Sequence, residues 1–158
     1  MPASRRSWIV PGVLAVLVLT LMATSYLQRP SGREADAGML VSARLEATNF
    51  FSLDYRHADA DVDRVLALAT GKFKTEYSSR RKEVIDGVTG KKLVVTASIP
   101  EQGVAVELVD GNRGRVLVAV DVTTGTGTGA TTENRYRARL LLTRVKGHWL
   151  VSDLNQVG

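Results

Sequence analysis

The 158-residue chain contains no cysteine. Disulfides, thiolate nucleophiles and cysteine-ligated zinc are thereby excluded, and any folded part must hold together by its apolar core. Histidine is scarce: only His57 and His148 occur, each beside a polar turn, where a solvated or hydrogen-bonded ring is the expected role rather than metal ligation. A nucleophile elbow, a phosphate-binding Walker loop and a zinc-protease helix are all missing. No internal repeat is visible, and nothing in the sequence singles out a catalytic pair of carboxylates. The expectation is a protein with no catalytic residues, no cofactor and no bound metal.

Charge is the next feature to place. The chain carries a net charge of +5 with a pI near 9.8. Arg5, Arg6, Arg29 and Arg33 supply most of that excess, because residues 34–158 hold 17 basic against 16 acidic residues. The basic balance is therefore juxtamembrane, and nucleic acid is not an expected partner. Between those arginines, Ile9 to Leu27 forms an uncharged run of 19 residues, close to the roughly 20 needed to cross a bilayer core as a helix. Trp8 and Tyr26 stand at its ends as interfacial anchors, and Pro11 falls in its first turn, where proline disturbs a helix least. A cleaved signal peptide is the rival reading, but the run is long for a signal core and lacks a clean small-residue cleavage site. The expected layout is a cytoplasmic N-terminus over 1–8, a transmembrane helix over 9–27, a linker over 28–33 and one extracytoplasmic domain over 34–158. The protein would then be a single-pass component of the cytoplasmic membrane.

Within the domain, apolar spacing predicts three helices. The first covers about 34–53, with Met39, Leu40, Ala43, Ala47, Phe50 and Phe51 on one face. The second covers about 59–70, capped by Asp59 or Asp61, with Val62, Val65, Leu66 and Ala69 inward and Gly71 as a left-handed stop. The third covers about 72–85, with Phe73, Tyr77 and Val84 inward and Arg80, Arg81 and Lys82 outward. From Gly87 the period changes to two and valine and threonine dominate. Strands are expected over 92–99, continuing past Pro100 and Gly103 into 104–109, then over 115–123, 135–145 and 148–154. Asp110-Gly111-Asn112 and Lys146-Gly147 are the turn signals. Helices followed by consecutive antiparallel strands make an α+β fold, three helices packed on one face of a curved antiparallel sheet.

Three motifs invite functional readings. Asp59-x-Asp61-x-Asp63 begins like a calcium loop, yet Arg64 and Thr70 stand where glycine and glutamate are required, and helix-start acids explain the run. Gly125-x-Gly127-x-Gly129 precedes a strand rather than a helix, so it is a hairpin tip and not a nucleotide loop. Arg135, Arg137 and Arg139 share one face of a strand. They form either the solvated back of a half-buried sheet or a basic ridge for an acidic partner or lipid headgroups, and they are the candidate partner-binding residues.

Taken in order, several segments resemble the Mce-associated membrane proteins of actinobacteria, which accompany lipid-import complexes. They are Phe51-x-x-Asp54-Tyr55, the acidic stretch Asp59 to Asp63, Thr70-Gly71-x-Phe73-x-x-Glu76-Tyr77, the strand Val116 to Val120 and the ending Gly147-His148-Trp149-Leu150-Val151-Ser152-Asp153-Leu154. Gly147 with His148 is a mild departure from the usual closing pattern. The resemblance implies a cystatin-like cone of the nuclear-transport-factor-2-like type behind the membrane helix. It also implies a non-enzymatic accessory or scaffold subunit of an Mce-type lipid-import complex. Its partners would be other envelope proteins, with a lipid ligand and a second copy of the chain left open. A VirB-type assembly scaffold of type IV secretion, which shares an anchor and the same cone, is the alternative. A lipid-binding or enzymatic pocket on that cone is a third reading, because fold alone does not decide function.

Overall fold

The structure is a computed structural model that describes residues 32–126, Gly129 and residues 131–158. The expected transmembrane segment 9–27 lies outside the described residues. Among the described residues no helix is long and apolar enough to cross a membrane.

The element order is α1 (Gly32–Phe50), β1 (Leu53–Asp54), α2 (Ala58–Leu68), α3 (Gly71–Ser79), α4 (Arg81–Gly90), β2 (Leu93–Ser98), β3 (Val104–Asp110), β4 (Arg113–Thr126), β5 (Thr132–Val145) and β6 (His148–Gln156). All strand pairs are antiparallel, in the order β1-β2-β4-β5-β6, with β3 also paired to β4. This is the α+β fold expected, with four helices in place of three.

The third helix of the sequence pattern is two. α3 closes at Arg80, whose N–H donates to the Glu76 and Tyr77 carbonyls, and α4 begins at Arg81. No proline or glycine marks the break. It is tied down from outside, because Arg81 reaches α2, donating to Asp63 at 2.5 Å and Asp59 at 3.1 Å. Arg81 therefore faces another helix rather than open solvent. α4 also runs through Gly87 to Gly90 and buries Val88, so strand character begins later than the sequence suggests.

The start of α1 and the end of α2 are displaced as well. α1 begins at Gly32, inside the stretch expected to be linker. α2 stops at Leu68, and Ala69 and Thr70 run alongside β6, where the Thr70 N–H donates to the Val151 carbonyl at 2.8 Å. Gly71 does adopt the left-handed conformation (φ 56°), but it turns this extended stretch into α3 instead of ending α2. The N-cap of α2 is His57, without a side-chain cap, so neither Asp59 nor Asp61 plays the capping part.

One edge of β4 carries two strands. β2 pairs with its C-terminal half (Ser98 opposite Asp121) and β3 with its N-terminal half (Val104 opposite Val118). Pro100 to Gly103 makes the corner between them. Gly103 donates to the Pro100 carbonyl and accepts from Ala119, and a side chain there would press on both segments. β2 pairs as far as Thr126, which extends β4 three residues beyond Thr123, where the expected strand ended. The other turns fall as predicted: Gly111 closes β3–β4, and Lys146-Gly147, both at positive φ, closes β5–β6, the backbone that two-residue hairpins favour.

The core lies between the helices and one face of this sheet. Val116, Val118, Val120 and Val122 of β4 and Ala138, Leu140 and Leu142 of β5 point inward against Met39, Ala43 and Ala47 of α1, Val62 and Val65 of α2, and Phe73 and Tyr77 of α3. Phe50 joins the aromatic residues, with ring centroids 5.1 Å from Phe51, 5.9 Å from Phe73 and 5.7 Å from Tyr77. Phe51 stacks on Tyr136 at 5.8 Å. The strand alternation read from sequence is therefore the one the sheet adopts, and Trp149 of β6 is buried.

Candidate functional site

Alternation along β5 sends Arg135, Arg137 and Arg139 to the face of the sheet that the helices leave open. Their surroundings differ. Arg135 forks onto Asp121 of β4, with contacts of 2.5 and 3.2 Å. Arg139 forks onto Glu107 of β3 at 2.8 and 2.9 Å. Each carboxyl is held below its usual range, first by the hydrogen bond from its arginine. Glu107 reaches Arg139 from the bulge between Val106 and Leu108. Arg137, opposite Ala119, has no carboxylate partner among the described residues. The structure thus brings the three arginines together on one face but couples two of them to carboxylates in bidentate ion pairs. Sequence alone could not find these partners, because they come from two other strands.

The ion pairs near β1 form a second cluster. Asp61 is almost wholly buried and accepts from the Asp54 backbone N–H at 2.7 Å and from Arg64 at 2.8 Å, while its other contact is His57 Nδ1 at 2.7 Å. The Asp54 carboxyl takes the backbone and guanidinium N–H groups of Arg56 and lies well below the ordinary carboxylate range, chiefly through that side-chain hydrogen bond. The same Arg56 guanidinium lies 5.9 Å from the Tyr55 ring. These contacts pin the turn between β1 and α2. No group of three potential metal ligands occurs among the described residues.

A third feature was missed from sequence. Glu46 of α1 is fully buried, and neither carboxyl oxygen has a hydrogen-bond partner. Burial pushes its pKa up to about 9, with the Asn49 side chain pulling slightly the other way, so the carboxyl is neutral at pH 7. The Tyr77 hydroxyl is likewise buried and unpartnered, and its pKa is pushed up to about 12 by burial, then by the charges of Glu46 and Asp61. The spacing Ala43, Glu46, Ala47, Phe50 places Glu46 on the inner helix face, but its residue type disguised that position.

Exposed apolar side chains form a fourth feature. Val41 and Leu45 of α1 border a groove with Leu40, Thr48 and Val104. Arg44 spans it, donating to the carbonyls of Ile99 and Glu101 at 2.9 Å each and of Pro100 at 3.1 Å.

The helix layer on an antiparallel sheet is a fold shared with several solved structures, among them VirB8. An IcmL-like type IV secretion system protein of Legionella pneumophila superimposes with a TM-score of 0.64 at 12% identity, over 77% of this chain and 91% of that one. The periplasmic domain of DotI gives 0.61 at 19% identity, covering 75% and 91%. VirB8 of Agrobacterium tumefaciens gives 0.60 at 12%, covering 77% and 90%. At such identities the likeness is one of fold.

The chain belongs to the family described as "Uncharacterized protein Rv1363c/MT1408-like", which it matches over residues 8–158. The protein Rv1363c of Mycobacterium tuberculosis is 28% identical over 122 residues, 77% of this chain. The chain spans 46% of that relative's length. Neither name carries the Mce designation that the sequence segments suggested.

Proposed function

We propose that the domain is a non-enzymatic assembly subunit of the cell envelope, tethered to the cytoplasmic membrane by the 9–27 helix and binding other envelope proteins. The observation that carries this reading is the VirB8-type cone behind an uncharged 19-residue run. Among the similar folds, the DotI structure is named as a periplasmic domain and the IcmL-like protein as a type IV secretion system protein. A secretion-type assembly scaffold accounts for these neighbours better than a lipid-import accessory does, so the Mce-type role takes second place. The chemistry agrees with a binding role. The buried acid, Glu46, is neutral at pH 7, and the sheet carboxylates Asp121 and Glu107 are held by arginines.

Affinity-tagged full-length chain, solubilised from membranes of its native host, tests the reading. Envelope proteins should co-purify in fixed ratio and survive stringent washing. A chain that purifies alone, or with stoichiometric lipid and no protein, overturns it. Topology is checked with Ser31→Cys, which should react with an impermeant maleimide in intact cells. Reaction only after lysis would put the domain on the other side of the membrane.

A further inference from the structure

Four residues separate Leu27, the last of the uncharged run, from Gly32, where α1 begins. The first turns of α1 pack on a defined part of the sheet. A Cβ on Gly38 would lie 3.7 Å from the Trp149 ring, and Met39 fills the space above Gly114. The far end of α1 lies elsewhere: Phe51 stacks on Tyr136, and the Ala97 N–H donates to the Ser52 hydroxyl. The chain therefore enters the domain beside the β3–β4 and β5–β6 turns. Those turns meet where the Arg144 N–H donates to the Asn112 carbonyl at 2.8 Å.

Positive charge gathers at this end. Residues 108–115 and 141–152 hold four cations, Arg113, Arg115, Arg144 and Lys146, against one acid, Asp110. None of the four has an ion-pair partner among the described residues. The charge of Arg115 reaches Glu107, but Arg139 takes both oxygens of that carboxylate. Farther along the sheet Arg135 is likewise held, by Asp121. The connecting chain is neutral, with Arg29 and Arg33 against Glu34 and Asp36, so the excess lies on the sheet. Leu108, Val109 and Val145 are exposed at the same end. Exposed apolar side chains among unpaired cations suit the boundary between headgroups and acyl chains. A hollow of about 450 Å³ also opens there, between Arg113, Arg115, Leu108, Leu141, Thr143 and Ser152.

We propose that this end of the domain rests on the bilayer from which the chain emerges, and that Arg113, Arg115, Arg144 and Lys146 bind the headgroup phosphates of acidic phospholipids. Arg113 and Arg115 share one face of β4 by its alternation, and their guanidinium donors would hold one such phosphate at the hollow. Position and sign select this occupant. The uncharged run ends four residues before α1, and the turns beside the first turns of α1 carry unpaired cations, each of which gains from a negative membrane surface. The contact deepens the reading above and rests on its membrane tether, not on its protein partners.

The absence of cysteine allows single labelled positions. Full-length chain carrying Asn112→Cys, or Lys91→Cys near the opposite end of the sheet, receives a fluorescent donor and is reconstituted in vesicles whose headgroups carry the acceptor. In phosphatidylcholine with roughly one-third phosphatidylglycerol, energy transfer from position 112 should exceed that from position 91 by about twofold or more. The excess should shrink in phosphatidylcholine alone and in about 0.5 M NaCl. Arg113→Glu combined with Arg115→Glu should abolish it at an unchanged melting temperature, and Lys146→Glu, on an exposed turn, should reduce it independently. Equal transfer from both positions, or an excess indifferent to acidic lipid and to charge reversal, overturns the contact. If millimolar inorganic phosphate erases the excess in acidic vesicles, the cations take soluble phosphate and the lipid assignment falls. Charge reversal that leaves transfer unchanged but removes a co-purifying protein makes this end a protein interface instead. Flotation with the vesicles reads the tether separately. A chain that floats with position 112 distant loses the contact and keeps the tether, and a chain that does not float loses both.

Discussion

Met39 of α1 occupies the space that a side chain at Gly114 of β4 would need. A Cβ built on Gly114 overlaps the Met39 sulfur and lies 3.3 Å from its Cγ, and Met39 itself is fully buried. This contact fixes how closely the long helix lies on the sheet. Gly114→Ala should therefore destabilise the domain by about 1–3 kcal/mol through overpacking. Met39→Ala should cost about 2–5 kcal/mol through the cavity it leaves. The double variant should be more stable than the sum predicts, since the alanine methyl enters that cavity. Urea melts of the four chains measure the coupling. Strict additivity would show that α1 does not press on β4 here.

Glu46 should make stability fall with pH. Folded, its carboxyl titrates near 9 against an ordinary 4.5, because burial disfavours the charge. The folded state keeps a proton that the unfolded chain releases, so this contribution is fully present below about pH 4.5. It is lost progressively up to about 9 and changes no further above that. By pH 7.5 the loss is on the order of 4 kcal/mol. The Asn49 side chain acts on this carboxyl, which in turn acts on the buried Tyr77 hydroxyl. Glu46→Gln should flatten the dependence between pH 5 and 9. A variant with the wild-type slope would assign that slope to other groups.

Trp149 should matter for its bulk and not for its N–H. It is 5% exposed, with Gly38 on one side and the Arg144 guanidinium 5.9 Å from its ring, and its Nε1 has no hydrogen-bond partner. Trp149→Ala should cost about 3 kcal/mol or more. Trp149→Phe should cost less than half as much, because no hydrogen bond is lost. Thermal melts distinguish the two. Equal losses would reveal a partner for the indole.

Arg137 is the cleanest probe of the arginine face. Arg137→Glu should leave stability within about 0.5 kcal/mol, as exposed substitutions usually do. Arg139→Glu should be more disruptive, since it sets a carboxylate against Glu107. If the face meets an acidic partner, Arg137→Glu should reduce partner recovery in a pull-down, and wild-type recovery should fall with salt. Unchanged recovery with an unchanged melt removes the face from the list of interfaces.

Asp61 should be costly to replace. Its buried carboxylate holds the Asp54 N–H, Arg64 and His57 together. Asp61→Ala strands those groups and should cost about 2–4 kcal/mol, more than Asp59→Ala on the exposed side of the same helix. Comparable losses would show that the acids of α2 act only through the helix dipole.

What the sequence determined by itself is whatever depends on near neighbours. The period of two on β4 and β5 decided which of their residues face the core, and the period of 3.6 did the same for Met39, Ala43 and Ala47. Gly111 and Lys146-Gly147 marked their turns because positive φ is a local demand. The ordered segments also led to the right cone, though not to the family's name. Contacts between elements far apart in the chain were left to the tertiary structure. Arg81 finds Asp59 and Asp63 across two helices, so a helix breaks at Arg80 with no breaker residue. Arg135 and Arg139 find Asp121 and Glu107 on other strands, so a ridge of three charges keeps one without a partner among the described residues. Glu46 sits on an apolar helix face, and only its burial in the folded domain keeps the carboxyl neutral. In each case a charge is set by what surrounds it in space, and no local period in the chain encodes that.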